Sequence, residues 1–439
     1  MDNIAVIVLA AGKGTRMKSH LPKVLHPVAG QPMLWHVLSA TQSLKPNRTV
    51  VVTGYGAEDV EDWCTKAFPG TEYIRQTEQN GTGHAVMQVK PLLKDHTGPI
   101  VIVYGDIMLS AREDVLPTLM QHHAENTHGF TLLTANVANP TGLGRIFKNK
   151  GHLVNVEEKD CTAEQKAITT VNPAIHAVHG PLLWQLLAQV KNDNAQKEFY
   201  LTDIIGLAAQ SGARVIAAEV PAERAELGMN NRAEIAEMEE LWQHRKRTQM
   251  MLAGVTLTAP HTVWFSADTE IAPDTTIGQN VVFGPGVMVE EGATILPFCH
   301  LEGCTVQKGA IVGPFARIRP TTVIGPKAKV GNFVEIKNTT LGNGSKANHL
   351  TYLGDTTVGD DVNLGACTVT ANYSKKTGKK SRTVIGSHSS TGAGTLLVAP
   401  VTMAEHSYTG AGTTLREDTE PASLTTTTVQ NKVKKNYSR

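Results

Sequence analysis

The sequence predicts an α/β domain, then a helix, then a β domain built as a parallel coil. Three observations predict it. A continuous apolar run at residues 4–9 leads into a glycine-rich segment around Gly12 and Gly14. A stretch free of Gly and Pro occupies residues 233–253. From Ile271 onward an aliphatic or small residue recurs every six positions.

The run at 4–9 is apolar throughout, the pattern of a strand buried on both faces of a parallel sheet. Similar runs occur at 49–52 and 100–103, with helical segments between them at 32–43 and 83–89. Such alternation reads as a doubly wound sheet. Ligands in these sheets bind at the carboxyl ends of the strands. The segment Ala10-Ala11-Gly12-Lys13-Gly14-Thr15-Arg16-Met17 lies at such an end. It is not the dinucleotide fingerprint, because Met17 stands where the third Gly belongs, and it lacks the P-loop pattern. Two glycines still let the backbone approach a phosphate, and Lys13, Arg16 and Lys23 add positive charge. Taken alone, the segment reads equally well as a phosphate site or as a structural tight turn.

Residues 233–253, rich in Glu, Met, Leu and Gln, read as one long helix with Gly254 as its stop. A solvent-bridging rod between the two halves is the expected role. The six-residue beat then runs through Ile277, Phe283, Val289, Ile295 and Leu301. It slips to five at Val306, Leu341 and Val358, and returns after an interruption at Ile385, Thr391, Leu397, Met403 and Thr409. This period is the signature of a parallel β-helix. Each unit is a short strand plus a corner, and stacked coils satisfy each other's backbone groups. Hexapeptide coils usually wind left-handed, against the ordinary crossover preference. A bare oligomerisation stalk would show the same repeat.

A chain of 439 residues exceeds one ordinary core, and a net charge of +1 points to neither nucleic acid nor an anionic membrane. The five cysteines form no CxxC pair, so reduced thiols are expected. No apolar run is long enough to span a membrane, and the N-terminus lacks a basic n-region. A soluble, cytoplasmic protein is expected.

The constellation is more specific than its parts. Leu9 to Met17 with Leu21-Pro22-Lys23, then Gln76-Thr77-Glu78-Gln79-Asn80-Gly81-Thr82-Gly83-His84-Ala85, then Tyr104-Gly105-Asp106, resembles the sugar-1-phosphate nucleotidyltransferases in order and spacing. In the coil, Pro314 to Pro320, Val330 to Lys337, His349 to Asp355, Asn363 to Ala366 and Asn372-Tyr373 also match. Together, from about residue 4 to about 421, the chain resembles the bacterial bifunctional N-acetylglucosamine-1-phosphate uridyltransferase/glucosamine-1-phosphate acetyltransferases.

The resemblance implies a Rossmann-like nucleotidyltransferase domain at 1–228 and a linker helix at 229–253. It implies a left-handed β-helix acetyltransferase domain with a tail at 254–439. Leu9, Ala10, Ala11, Gly12 and Lys23 would hold the nucleotide, with Gln76, Gly81, Thr82, Tyr104 and Gly105. Asp106 and Asn230 would ligate Mg²⁺, as a carboxylate and an amide oxygen suit a hard cation. Gly144, Glu157 and Asn172 would contact the sugar. Arg16 and Lys23 would stabilise charge on the phosphates. In the coil, His349 would be the general base. Arg319 and Lys337 would take the substrate phosphate, and Tyr352 and Asn363 the sugar. Ala366, Asn372, Tyr373, Ala393 and Ala411 would line the acetyl-CoA cleft. A homotrimer acting on small molecules for cell-wall precursor synthesis is implied, with UTP and acetyl-CoA as co-substrates.

Several positions depart from the family pattern. Met108 replaces a usual Pro, and Pro173-Ala174 follow Asn172 where Thr-Gly is usual. Asn348 and Cys367 replace glycines, and Ala393 replaces a Ser. The loop after Tyr373 is longer and more basic than usual, and no arginine appears near Thr428. Those in the first half bear on the sugar pocket, and those in the coil gather around the coenzyme. A single-function nucleotidyltransferase, its coil a trimerisation or regulatory scaffold, is therefore the competing reading. The set Arg319, Lys337, His349, Tyr352 and Asn363 discriminates, because a stalk has no use for it.

Overall fold

The computed structural model describes residues 3–428 and residue 434. Contacts divide the chain into two compact units, between Leu241 and Trp242. The outermost part of the expected tail, 429–433 and 435–439, lies outside the described residues.

The first unit is built on a ten-stranded sheet. Strands Glu72–Arg75, Arg48–Thr53, Ala5–Leu9 and Pro99–Tyr104 lie side by side in that order, all parallel. Chain order reverses on either side of Ala5–Leu9, which makes a crevice at its carboxyl end. The expected helices appear as Met33–Gln42 and Thr82–Gln88. Beyond Pro99–Tyr104 the sheet is mixed rather than parallel. His176–His179 runs antiparallel to both Pro99–Tyr104 and Phe130–Asn136. Val215–Glu219 then pairs parallel to Phe130–Asn136. A strand buried on both faces has the same apolar pattern in either direction, so direction is not written in its composition.

Burial in this unit has a pH consequence. His123 and His176 are both fully buried. Desolvation pushes both imidazoles down to about 4, with His179 adding repulsion at His123. Their folded pKa values lie below the unfolded value of about 6.5, so the stability they carry is present above pH 6.5 and lost as pH falls toward 4. Urea unfolding at pH 5 should show a loss of roughly 1–2 kcal/mol per histidine relative to pH 7.5. Replacing both with glutamine should remove that part of the slope, and an unchanged slope would refute it.

The helix forms as Arg232–Leu252, and Gly254 closes it at φ 93°. It is not a solvent-bridging rod. In the first unit Met238 is buried and Glu239 accepts a hydrogen bond from the Ala29 N–H at 2.6 Å. In the second unit Gln243 donates to the Phe265 carbonyl at 2.6 Å and accepts from its N–H at 2.9 Å. Arg247 Nε donates to the Val263 carbonyl at 2.8 Å. Buried polar side chains here satisfy backbone groups that the first coil leaves unpaired.

The second unit is a parallel β-helix. Its strands stack into sheets of seven, eight and eight, and from Glu270–Ile271 to Tyr352–Gly354 each strand pairs with the third one along the chain. One interior column runs Ile277, Ile295, Val312, Val330, Ala347, Leu364. Each of these is at most 3% exposed. The beat that seemed to lapse continues at Thr370, buried in strand Val369–Ala371. The interruption is an antiparallel hairpin, Tyr373–Ser374 against Lys379–Lys380. Corners turn on residues with positive φ, three after the beat in six-residue units such as Phe298, Phe315, Phe333, Leu350 and Cys367. In the five-residue units Gly303, Asn338 and Asp355 do this two after the beat. All five cysteines are free, and no helix among the described residues is long and apolar enough to cross a membrane.

Candidate active sites

The glycine-rich segment leaves strand Ala5–Leu9 into the crevice. Its two glycines differ in task. Gly14 has φ +58°, and a Cβ there would come within 2.7 Å of the Lys23 Cβ. It is a backbone requirement. Gly12 has nothing within 4 Å of a Cβ and lines a cavity of about 330 Å³, so its missing side chain leaves room for a ligand. Gln79 Nε2 anchors the segment by donating to the Ala11 carbonyl at 2.9 Å.

Leu9, Ala10, Ala11, Gly12, Arg16, Lys23, Gln76, Gly81, Thr82, Tyr104, Asp106 and Asn230 all line that cavity. A second cavity of about 550 Å³ adjoins it, sharing Arg16, Thr82, Tyr104, Asp106, Glu198 and Asn230. Gly144, Glu157 and Asn172 line this one. The first suits a nucleotide and the second a sugar, with Arg16, Asp106 and Asn230 at the seam. Only Gly105 stands behind the wall. Its N–H donates to the Leu9 carbonyl at 2.9 Å, and a Cβ there would press on Leu34 and Val24.

Lys23 sits between Asp106 and Asn230. Its Nζ hydrogen-bonds Asp106 Oδ2 and lies 3.0 Å from Asn230 Oδ1. A carboxylate oxygen and an amide oxygen thus converge on one cationic point. That donor set fits a hard divalent cation, with phosphate oxygens completing its shell.

The sugar side has open valences. Glu157 Oε1 accepts from Asn155 Nδ2 and Thr202 Oγ1, each at 2.8 Å, which leaves Oε2 without a protein partner among the described residues. Asn172 Oδ1 accepts from the Ala174 N–H at 2.8 Å and contacts His176 Nε2 at 3.2 Å. Its Nδ2 is buried with no partner, a donor awaiting an acceptor. Pro173 and Ala174 therefore orient Asn172 by a local turn, with Ala174 taking the left-handed φ of 58°. Met108 is buried in the core and does not line either cavity.

On the β-helix the structure gathers one set of residues and separates another. Asn332 and His349 are paired in register on adjacent coils, with His349 Nδ1 at 3.2 Å from Asn332 Oδ1. An amide oxygen only accepts, so Nδ1 carries the hydrogen and Nε2 keeps a lone pair. Ala366, Ala393 and Ala411 continue this column. The Cys367 N–H donates to the His349 carbonyl, Gly394 to Ala366 and Gly412 to Ala393. Cys367 takes the corner conformation at φ 61°, so the loss of Gly is tolerated at a local steric cost.

Tyr352 opens the next strand, opposite Glu335, and Lys337 pairs with Gly354 farther along it. Asn363 pairs with Lys346. Arg319 is held by Glu335 at 2.7 Å. Lys380, from the basic hairpin, keeps the Lys337 ammonium below its usual pKa range, helped by Arg319. Three cations thus share a small region, which favours an anion. Asn372 donates to Asp355 Oδ2, and Asp355 Oδ1 accepts from Asn338 at 2.6 Å. Asn372 and exposed Tyr373 stand at the hairpin base, on a different corner from the alanine column.

Sequence reasoning passed over Gln79, Asn332 and Lys380, although each lies in a segment it singled out, and over Glu198, Tyr200 and Thr202, which line the second cavity. Arg224, whose Nη2 donates to the Thr141 carbonyl at 3.2 Å on the sugar side, carried no local signal.

Two adjoining cavities at the carboxyl ends of parallel strands, joined in one chain to a hexapeptide β-helix carrying the His349–Asn332 pair, have the layout of a two-site transferase. The chain matches the MobA-like NTP transferase domain over residues 6–255. The chain belongs to the family of bifunctional GlmU proteins. It is 44% identical to the Bifunctional protein GlmU of Zymomonas mobilis over 90% of this chain and 88% of the relative. Identity to that of Sphingopyxis alaskensis is 46%, over 91% and 88%. For Roseobacter denitrificans it is 45%, over 96% and 92%. A solved UDP-glucose pyrophosphorylase complexed with UDP-glucose aligns over 55% of this chain and 99% of its own at 18% identity and TM-score 0.46, too slight a likeness to add to the argument. The chain is an enzyme with uridyltransferase and acetyltransferase activities.

Proposed function

We propose that the crevice of the first unit joins UTP to N-acetylglucosamine-1-phosphate, and that the β-helix supplies this substrate by acetylating glucosamine-1-phosphate. The observation that carries the first assignment is the convergence of Asp106 and Asn230 on one cationic point at the seam between the cavities. Mg²⁺ held there would neutralise phosphate oxygens and orient them. The sugar phosphate oxygen attacks the α-phosphorus, and pyrophosphate leaves. Arg16 and Lys23 bind the oxygens that gain charge. Glu157 Oε2 and Asn172 Nδ2 orient the sugar through its hydroxyl and acetamido groups.

On the β-helix, His349 Nε2 takes the proton from the amine as it attacks the thioester carbonyl, and the CoA thiolate leaves. Arg319, Lys337 and Lys380 hold the phosphate, while Tyr352 and Asn363 fix the ring. The alanine column and the pair Asn372 and Tyr373 serve one coenzyme only if neighbouring copies meet. This supports a homotrimer, as do the exposed stacked rings Phe298, Phe315 and Phe333, 4.9 and 5.2 Å apart. A cytoplasmic location suits the free cysteines.

The test is an omission assay on purified protein. With glucosamine-1-phosphate, acetyl-CoA, UTP and Mg²⁺, both thiol and pyrophosphate should be released. Omitting acetyl-CoA should stop both, and omitting UTP should stop pyrophosphate alone. Thiol release absent from the complete mixture would leave the scaffold reading standing. A monomer that keeps acetyl transfer at high dilution would refute the shared site.

A further inference from the structure

The base end of the nucleotide cavity contains a hydrogen-bond relay. Gln76 is 5% exposed and lines the cavity. Its Nε2 donates to the Gly81 carbonyl at 3.0 Å. A carbonyl only accepts, so Gly81 favours this orientation of the amide while engaging only one of its two hydrogens. The remaining hydrogen on Nε2 points at His84 Nδ1, 3.1 Å away. Nδ1 must then accept, which places the ring hydrogen on Nε2. That nitrogen is 3.0 Å from the amide of Gln88. Gln88 Nε2 also lies 3.3 Å from the His84 carbonyl. A neutral imidazole cannot accept at both nitrogens. The longer, weaker contact gives way, and Gln88 turns its oxygen to the Nε2–H.

The relay spends both hydrogens of Gln76. Its Oε1 has no partner among the described residues and is not among the buried unpaired atoms. It is therefore an obligate acceptor presented to the cavity. We propose that His84 is a positioning residue that, together with the Gly81 carbonyl, fixes the polarity of the Gln76 amide, and so selects a pyrimidine whose ring nitrogen carries a hydrogen over one whose ring nitrogen is a lone pair. Uracil has the N3–H, and cytosine has the lone pair. His84 touches neither base nor phosphate. It acts through Gln76, and the inference rests on the uridylyl reading of this cavity.

The test compares UTP with CTP in the full-length enzyme, with N-acetylglucosamine-1-phosphate and Mg²⁺. His84→Asn keeps an acceptor near the Nδ1 position and should retain the parent preference for UTP. His84→Leu removes one of the two acceptors and leaves the Gln76 amide held by the Gly81 carbonyl alone. It should lose about tenfold or more of the UTP-over-CTP ratio in kcat/KM, mainly through KM, because a site that pairs a polar group discriminates strongly against its absence. Acetyl transfer and the unfolding midpoint should stay at parent values. Should His84→Leu fail to fold, Gln88→Lys offers only donors to Nε2, forces the opposite tautomer and should cause the same loss. Undiminished selectivity in His84→Leu or Gln88→Lys overturns the role of His84. A parent enzyme indifferent between UTP and CTP overturns the base-site reading itself, and the relay with it.

Discussion

Asp106→Ala and Asn230→Ala should each abolish UDP-sugar formation while leaving thiol release from acetyl-CoA at the parent rate. Both oxygens meet at one point on the seam of the two cavities, where the nucleotide and sugar ends adjoin. Two phosphate groups must approach each other there. Removing either of these proposed metal ligands would leave part of that negative charge uncompensated, and should cost more than about 2–3 kcal/mol of transition-state stabilisation. The loss should appear in kcat, since the contact matters most as charge moves onto the leaving pyrophosphate. Lys23 complicates the picture in a useful way. Its ammonium rests against both oxygens, so each mutation also removes one of its two partners. Calorimetric titration of UTP with Mg²⁺ would report weaker coupled binding in both mutants. Normal uridylyl transfer in both would refute the metal assignment.

His349→Ala should remove acetyl transfer yet leave uridylyl transfer intact when N-acetylglucosamine-1-phosphate is supplied. The ammonium of glucosamine-1-phosphate cannot attack a thioester until it loses a proton. A positioned base contributes about 10²–10⁴-fold to such a step. Asn332 fixes the tautomer by accepting from Nδ1–H, so Nε2 is the basic atom. His349 is exposed at a corner, with the alanine column above it and Tyr352 on the strand that follows. The mutant should therefore lose turnover, whereas Arg319→Ala should mainly raise KM for the sugar phosphate. Thiol and pyrophosphate release measured separately on both mutants would decide. If the parent is active and His349→Ala is equally fast, the base lies elsewhere.

The coil was legible because its rule is local. One inward side chain per six residues is a constraint that each unit obeys by itself, and the structure buries beat after beat from Ile277 to Met403. The phosphate segment was legible for the same reason, since close backbone approach demands particular residues at particular steps. The helix was placed to within a residue at each end but misread in role. Buried Gln243 and Arg247 look like surface residues in a sequence, and only the backbone groups of Val263 and Phe265 explain them.

By itself the sequence determined the order of units, the hexapeptide period and the family the chain resembles, and it nominated the two sets of candidate site residues. The tertiary structure alone decided the rest. It turned His176–His179 antiparallel, set Gly105 behind the wall and brought Arg224 to the sugar side. It stacked His349 beneath Ala366, Ala393 and Ala411, whose spacing across the hairpin insertion hides their alignment. Local patterns fix which face of an element is buried. Strand direction and the partner of a buried polar group depend on segments distant in sequence, and no period in the chain records those pairings.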